Sequence, residues 1–320
     1  MADSTIDLLA TERGTVTAPA GCGKTHLIAE ALTRHNGPKP ILILTHTNSG
    51  VAALRTRLDK LGVAPRQFRV STLDGWALRL LGTFPKRSEI EPSLLAVANP
   101  RKDYPAVRDA ARRLMKAGHV HDVIRSTYAR LIVDEYQDCS LLQHTLVYYA
   151  ATALPIAVLG DPMQAIFGWQ GNELADWEGH VCTHFPMAGE LTTPWRWRNA
   201  GTEEFGFWLL HVRRKLLGGE PIDLDTAPRE VRWVHLDGTE DRVRQLRAAR
   251  IKTTDRDGSV LIIGKSTSPP SQQEFASQIP GAVTVEAVDL RDLVQFARKL
   301  DFGDAGAALS EQTLGPRAPC

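Results

Sequence analysis

Residues 18–25 read APAGCGKT and come directly after a short apolar stretch. In a loop of this kind, glycines let backbone N–H groups converge on a phosphate, and the helix that follows points its positive end at the same charge. Gly21 and Gly23 fill the glycine positions, and Lys24 is expected to reach the β and γ oxygens. The Thr25 hydroxyl is expected to bind Mg²⁺. The pattern predicts a phosphate-binding loop, and a glycine-rich turn without a ligand is the alternative.

A second acidic motif follows much later in the chain. Residues 131–138 read LIVDEYQD, with the acids at the end of an apolar run. Asp134 is expected to hold the metal, and Glu135 to orient or deprotonate the attacking water. Two adjacent acids at a buried strand end are costly unless a cation is near. The alternative is an ordinary strand-to-helix turn with capping acids.

Short β-rich runs and helical patterns alternate around these motifs. The runs ILIL, LIV and IAVL lack in-out alternation, as expected for strands that are covered on both faces. Strand–helix–strand order predicts an α/β fold with a doubly wound parallel sheet. The predicted strands are 14–17, 41–45, 68–72, 131–134 and 156–160, and two of the helices are 24–34 and 49–61.

The chain is expected to divide into two domains. Residues 1–188 form the first, with a small insertion at about 83–125 that holds several prolines and the basic stretch VRDAARRLMKAG. The arginines of that stretch either contact phosphates or lie on a solvated helix face. Residues 189–300 form a partial second domain, in which 231–236 and 259–264 are predicted strands. Residues 301–320 are rich in Gly, Ala and Pro, which predicts a flexible tail.

Composition excludes some classes of function and leaves others open. Lys plus Arg total 38 and Asp plus Glu 37, a balance that argues neither for nor against nucleic acid. The four cysteines are scattered, so no zinc site, iron–sulfur cluster or disulfide framework is predicted. We see no signal peptide, and the most apolar region, 141–159, is interrupted by polar residues and proline. A cytoplasmic protein with no membrane partner is expected.

Four more sequence blocks narrow the use of the phosphate site. THTN (45–48) follows the second predicted strand, STLDG (71–75) the third and GDPMQAIFGWQG (160–171) the fifth, and the aromatic–arginine block PWRWRN (194–199) comes last. With the phosphate loop and DEYQD, this order resembles the UvrD/Rep family of superfamily 1 helicases. The resemblance extends from about residue 15 to residue 199. It implies RecA-like domains that use ATP and Mg²⁺ to move along single-stranded DNA in the 3′ to 5′ direction.

The resemblance also implies roles for individual residues. Gln164 matches a glutamine that senses the γ-phosphate, and Arg196 an arginine that reaches it from the second domain. The catalytic set is Lys24, Asp134, Glu135, Gln164 and Arg196, with Thr25 and Asp134 at the metal. The nucleotide-binding set is Ala18, Pro19, Ala20, Gly21, Cys22, Gly23, Lys24, Thr25, His26 and Trp195, where Trp195 matches a tyrosine that stacks on adenine. The DNA-binding set is Thr45, His46, Thr47, Asn48, Thr72 and Trp169, where Trp169 matches an aromatic that stacks on a base. Both tryptophans could instead be core aromatics.

Several positions depart from the family pattern. Ala18 stands where the strict loop motif has glycine, and no glutamine precedes residue 15 to read adenine. His46 replaces a usual phenylalanine, and Gln170 replaces a usual arginine. Asp74 replaces a usual histidine, and an acid there is expected to weaken contact with a DNA phosphate.

Two hypotheses about function remain open. We find neither of the family's last two motifs in residues 200–320, although the hydrolytic set is intact. One hypothesis is an ATP-driven helicase or translocase on single-stranded DNA. The other is a regulatory ATP- and DNA-sensing subunit that controls a nuclease partner, because small UvrD-like proteins resemble the helicase subunits of defence systems such as Gabija. A small-molecule kinase, a third class, would leave Trp169 and the aromatic–arginine pair without a role.

Overall fold

One parallel sheet organises most of the chain. The computed structural model describes residues 6–168, 172–251, 253, 258–265 and 268–285. Its six strands run in the order β3-β2-β4-β5-β1-β6, and every neighbouring pair is parallel. The strands are β1 (Arg13–Thr17), β2 (Ile41–Thr45), β3 (Phe68–Thr72), β4 (Arg130–Val133), β5 (Ile156–Gly160) and β6 (Met187–Glu190).

Helices fill the connections between the strands. The α-helices are α1 (Lys24–Arg34), α2 (Asn48–Lys60), α3 (Leu73–Thr83), α4 (Pro85–Ser88), α5 (Pro100–Lys116), α6 (His121–Thr127), α7 (Leu141–Ala150), α8 (Trp195–Asn199), α9 (Glu203–Leu217), α10 (Asp241–Ala249) and α11 (Pro269–Ser277). Short 3₁₀ turns span Pro65–Gln67, Pro92–Ala96, Tyr136–Asp138 and Pro162–Gln164, and a π-helical turn spans Trp177–Cys182.

Both faces of the sheet are buried, as the non-alternating strands predicted. In β2, Ile41 and Ile43 join a core with residues of α1 and α2. Leu42 and Leu44 point the other way, into a core with residues of α3, α5 and α7. Every residue of β2 is buried, because neighbouring side chains alternate between two covered faces. The predicted α/β, RecA-like doubly wound sheet is confirmed.

The predicted insertion contributes to the main core. Its longest helix, α5, packs against α3 and α7. Val107, Ala111 and Met115 recur every four residues along α5 and are fully buried in the larger core. This spacing places them on one helix face, so the arginines between them lie on the flanks. The insertion is therefore part of the first unit and not an appendage.

The chain divides into two compact units, residues 1–231 and 232–320. The predicted domain boundary near 188 falls inside β6, which pairs with β1 in the main sheet. The second RecA-like domain from residue 189 stays a prediction, and the predicted tail at 301–320 lies outside the described residues. Within those residues, no helix is both long and apolar enough to cross a membrane.

Two predicted strands in the second unit were wrong. Residues 231–236 and 259–264 have no β structure, although each is apolar enough to suggest a strand. Their apolar side chains stay exposed, with Leu261 at 80% and Ile263 at 87%. A strand needs a neighbour to pair with its backbone groups, and neither segment has one among the described residues.

Candidate nucleotide and nucleic-acid site

The phosphate loop joins the carboxyl end of β1 to the start of α1. Gly21 and Gly23 have φ of +76° and +94°, a left-handed backbone that residues with a Cβ rarely adopt. Gly23 is also the N-cap of α1 and makes no side-chain cap. The first-turn backbone N–H groups of α1 therefore face the loop without an internal side-chain partner. This is the arrangement that binds anions at helix N-termini.

Lys24 is held between the two acids of the DEYQD motif. Its Nζ lies 3.0 Å from Asp134 Oδ1 and 2.6 Å from Glu135 Oε1. The acids follow β4, and β5 lies between β4 and β1 in the sheet. Parallel strands bring their carboxyl ends to one edge, which is why residues so distant in sequence meet here.

Burial and pairing act in opposite directions on these three charges. Burial raises the pKa of Asp134, and the nearby Lys24 only partly offsets that effect. Burial also favours neutral Glu135, but Lys24 and the Gln137 amide hold the pKa of Glu135 below its usual value. Burial alone would lower the pKa of Lys24, yet the two carboxylates raise it. Glu135 is thus an ionised, half-exposed base beside a charged lysine.

The residues present fit a magnesium ion that arrives with a nucleotide. Asp134 Oδ1 is buried and makes no well-directed hydrogen bond, although Lys24 Nζ lies at ion-pair distance. A buried carboxylate oxygen with spare bonding capacity is a ligand that Mg²⁺ prefers. The Thr25 hydroxyl, at the start of α1, accepts a hydrogen bond from Arg57 Nη1 at 3.2 Å. No cluster of three or more His, Cys, Asp or Glu side chains suited to a metal occurs in the described part of the chain.

A chain of hydrogen bonds connects the acids to Gln164. Gln137 Nε2 donates to Glu135 Oε2 at 2.9 Å, and Gln137 Oε1 accepts from the Asp161 N–H at 3.1 Å. Gln164 Nε2 donates to Asp161 Oδ2 at 2.6 Å. The structure therefore places Gln164 on a carboxylate at the end of β5. Asp161 and Gln137 stand inside the motif blocks, but our sequence reasoning assigned neither a role.

The aromatic–arginine helix α8 packs directly against the phosphate loop. The Arg196 N–H donates to the Gly21 carbonyl oxygen at 3.0 Å. A Cβ on Gly21 would lie 2.5 Å from Trp197 Cζ3, and one on Gly23 would lie 2.9 Å from Trp195 Cδ1. These contacts form within the first compact unit. Trp197 was not among the predicted site residues. Trp195 is 43% exposed, so much of its ring remains open to solvent.

The predicted DNA-binding residues lie at the carboxyl ends of β2 and β3. Thr45 is buried, and Asn48 is exposed at the start of α2. The Thr47 hydroxyl accepts from the Gly50 N–H at 2.9 Å and caps α2, and the Thr72 hydroxyl caps α3 in the same way. A capping hydroxyl still has its own proton to donate. Two helix N-termini with threonine caps therefore face the same edge of the sheet.

A cleft of about 140 Å³ opens beside these caps. The rings of His46 and Phe167 line it, nearly parallel at 12° with centroids 6.4 Å apart. Burial lowers the pKa of His46 to about 4, despite the opposing charge of Asp74. His46 is therefore neutral at pH 7 and presents a flat, uncharged ring, as the phenylalanine it replaces would. Trp169 and Gln170 lie outside the described residues.

The charge of Asp74 is compensated by an arginine of the insertion. Arg108 Nε and Nη2 donate to the two Asp74 oxygens at 2.8 and 2.7 Å, and Gln143 Nε2 donates to Oδ1 at 3.1 Å. Both charged side chains are less than 20% exposed. Our expectation that Asp74 weakens phosphate contact considered the acid alone, whereas in the structure the acid forms a bidentate ion pair with Arg108. The expectation itself stays a prediction.

The predicted residues fall into two groups that the sheet edge brings together. One group consists of the phosphate loop with Lys24, Asp134 and Glu135. Helix α8 packs on this loop and adds Trp195 and Arg196 to the group. The THTN residues and Thr72 form the other. His26 is exposed on the first turn of α1. The functional residues that sequence reasoning missed are Gln137, Asp161, Phe167, Arg108 and Trp197.

Parts of the chain are similar to known proteins. The family model of the UvrD/REP helicase N-terminal domain matches residues 5–117 and 103–177. The Gabija protein GajB of Bacillus cereus (strain VD045) is 33% identical over 86 residues, which are 26% of this chain and 17% of that protein. Among solved structures, a complex of the arterivirus nonstructural protein 10 helicase with DNA aligns with a TM-score of 0.31 and 12% identity, over 57% of this chain and 36% of that one.

The family match covers just over half of the chain. It includes the phosphate loop, the two acids that follow β4, the THTN segment and the GDPMQ block. The matched stretch of GajB, by contrast, is less than a fifth of that protein. The geometry of these blocks is that of a nucleotide site at the edge of a doubly wound sheet. The chain therefore belongs to the UvrD/REP helicase family, through that family's N-terminal domain.

Proposed function

We propose that this chain is an ATP-dependent helicase or translocase that couples ATP hydrolysis to movement along single-stranded DNA. The observation that carries the proposal is the position of Lys24 Nζ, within 3.0 Å of Asp134 and 2.6 Å of Glu135. A phosphate-loop lysine beside a metal-binding acid and an ionised base is the minimum set for hydrolysis of a γ-phosphate. The proposal includes movement in the 3′ to 5′ direction, by analogy with the family.

Each residue of the nucleotide site has a distinct task in this reaction. Lys24 turns from the acids to the β and γ oxygens, because phosphate oxygens replace the carboxylates as its counter-charge. Asp134 and Thr25 would hold Mg²⁺, which would supply positive charge to stabilise the phosphoryl group during transfer. Glu135, kept ionised, orients and deprotonates the attacking water. Gln164 and Arg196 contact the γ-phosphate, and Trp195 stacks on the adenine.

The second group of residues binds the DNA strand. The Thr47 and Thr72 hydroxyls, together with the N-termini of α2 and α3, donate hydrogen bonds to backbone phosphates. The parallel rings of His46 and Phe167 accept a base between them, and Trp169 stacks on another. Stacking tolerates any base, so binding of this kind has little sequence preference.

The test is ATP hydrolysis by the purified chain with and without single-stranded DNA. Lys24→Ala is the blank, and Lys60→Ala, an exposed lysine at the end of α2, is the matched control. We expect DNA to stimulate turnover in the parent and in Lys60→Ala, and Lys24→Ala to lose at least about 100-fold. Hydrolysis that is equal in Lys24→Ala and the parent would contradict the assignment of the site.

The match to GajB favours a second candidate. By analogy, this chain would be the ATP- and DNA-sensing subunit of a nuclease–helicase complex, without unwinding activity of its own. The same experiment separates the two candidates. A chain that binds ATP but shows no DNA-stimulated turnover would favour the regulatory subunit, and a purified nuclease partner would then have to restore stimulation.

A further inference from the structure

A buried ion pair joins α9 to the end of β5, and its arginine has no role in the site described above. Arg213 Nη1 lies 2.6 Å from Asp161 Oδ1, and the two side chains are 12% and 3% exposed. Asp161 also accepts the Met163 N–H at 3.1 Å. A charge pair this secluded is costly to desolvate, and it is retained where its remaining bonds are satisfied and its geometry matters.

Asp161 is a junction between the γ-phosphate sensor and the catalytic acid. Its Oδ2 accepts from Gln164 Nε2 at 2.6 Å. Its backbone N–H donates to Gln137 Oε1, and the other end of that amide donates to Glu135 Oε2 at 2.9 Å. A guanidinium that holds Asp161 in place therefore also holds the groups bonded on either side of it.

The element that carries Arg213 is anchored at the phosphate loop as well. Helix α9 follows α8 closely, and a Cβ on Gly206 of α9 would lie 2.9 Å from Trp197 Cβ. Trp197 in turn packs on Gly21, whose carbonyl oxygen accepts the Arg196 N–H at 3.0 Å. Residues 195–213 thus contact the phosphate loop at one end and Asp161 at the other.

We propose that Arg213 is a positioning residue, which fixes Asp161 and Gln164 and so connects the phosphate loop, through α8 and α9, to residues 162–168. That segment carries Phe167, one wall of the DNA cleft, and Asp138 Oδ1 accepts its Ile166 N–H at 3.1 Å. The inference rests on the proposed function. Under this inference, Arg213 is required for DNA to stimulate ATP turnover, whereas ATP binding depends on the phosphate loop.

The test compares Arg213→Gln with Arg214→Gln, the next residue on α9, which is exposed. ATP hydrolysis is measured over a range of ATP concentrations, with and without saturating single-stranded DNA. We expect Arg213→Gln to lose about tenfold or more of the DNA-stimulated kcat, because a displaced sensor misaligns the reaction. The KM for ATP should change little, and Arg214→Gln should match the parent.

Two further variants separate positioning from folding. Arg213→Gln leaves Asp161 buried without its counter-charge, which can weaken the fold by itself. Arg213→Lys keeps the charge and should recover part of the stimulation. The double variant Asp161→Asn/Arg213→Gln removes both charges, and should unfold near the parent's Tm while remaining as poorly stimulated as Arg213→Gln.

The outcomes distinguish this inference from the proposed function. A parent with DNA-stimulated hydrolysis and an Arg213→Gln variant equal to Arg214→Gln would overturn the inference alone. Full stimulation in the double variant would also overturn it, because the pair would then serve stability only. A parent that hydrolyses no ATP would overturn the proposed function, and this inference with it.

Discussion

At the scale of one residue, the buried carboxyl group of Asp134 lowers the stability of the nucleotide-free fold when it is ionised. Burial raises its pKa above the ordinary value of 3.8, so the fold favours the protonated carboxyl relative to the unfolded chain. The cost of ionising it in the fold is absent below that ordinary pKa and complete above the raised one. Above the raised pKa the nucleotide-free protein therefore carries a destabilising carboxylate, whose cost a cation would relieve.

We predict that Asp134→Asn stabilises the nucleotide-free protein and abolishes its chemistry. The neutral amide removes the buried charge, while Lys24 keeps Glu135 as its partner. The Tm at pH 7.5 should rise by roughly 2–4 °C, and Mg²⁺-dependent ATP hydrolysis should fall at least about 100-fold. Differential scanning calorimetry and a turnover assay measure the two effects.

The pH dependence supplies the control for that prediction. The gain in Tm should shrink as the pH falls towards the ordinary pKa of Asp134, because both proteins are then neutral at this position. Asp59→Asn, which changes an exposed carboxylate of α2, should leave Tm nearly unchanged. A lower Tm for Asp134→Asn at neutral pH would mean that the Lys24 ion pair outweighs the cost of burial.

At the scale of elements, the contact between α8 and the phosphate loop depends on glycines. Gly21 needs its positive φ, and it also leaves room for Trp197. Gly62, just after α2, has a similar φ of +72° but nothing within 4 Å of where its Cβ would stand. The two positions share the backbone strain of a left-handed residue and differ in what surrounds them.

We predict that comparing Gly62→Ala with Gly21→Ala separates the cost of backbone strain from the displacement of Trp197 at the phosphate loop. Each should destabilise the protein by about 1 kcal/mol through the backbone, but only Gly21→Ala displaces Trp197 and the loop. Gly21→Ala should therefore lose ATP binding, measured by titration calorimetry, while Gly62→Ala retains it. Unchanged ATP affinity in Gly21→Ala would show that α8 can move away from the loop freely.

The strands show which elements local sequence can predict. The predictions for β2, β3 and β5 were correct to the residue. The runs of β2 and β5 are buried throughout, whereas β3, at the edge of the sheet, buries Phe68 and Val70 on one face and exposes Arg69. β6 was missed, since its sequence MAGE contains little apolar surface and lies half exposed on β1 at the edge of the sheet. The opposite error occurred at 259–264, where an apolar run found no strand to pair with.

At the scale of the whole molecule, the nucleotide site belongs to one compact unit. The phosphate loop, both acids, Gln164, α8 and Arg213 all lie within residues 1–231. We predict that a fragment of residues 1–231 unfolds cooperatively and binds Mg²⁺·ATP within about 1.4 kcal/mol of the full chain. Calorimetric titration and thermal unfolding measure both properties.

The control for the fragment is the same truncation with Lys24→Ala, which should bind no ATP and unfold at the Tm of the full chain with the same substitution. A fragment that folds but fails to bind ATP would show that residues beyond 231 complete the site. That outcome would favour the role first predicted for Arg196, as an arginine that reaches the γ-phosphate from a second domain.

The sequence by itself determined the fold class and the motif residues of the candidate site. Periodicity and short motifs are local, so the buried strands, the glycine loop, Lys24 and the two acids could all be recognised without a structure. Only the tertiary structure decided which long-range partners complete them. Arg108 neutralises Asp74, Arg213 holds Asp161, and Trp197 packs on Gly21. An arginine or tryptophan in a helical pattern carries no local sign of its partner, because that contact depends on how distant helices pack on the sheet.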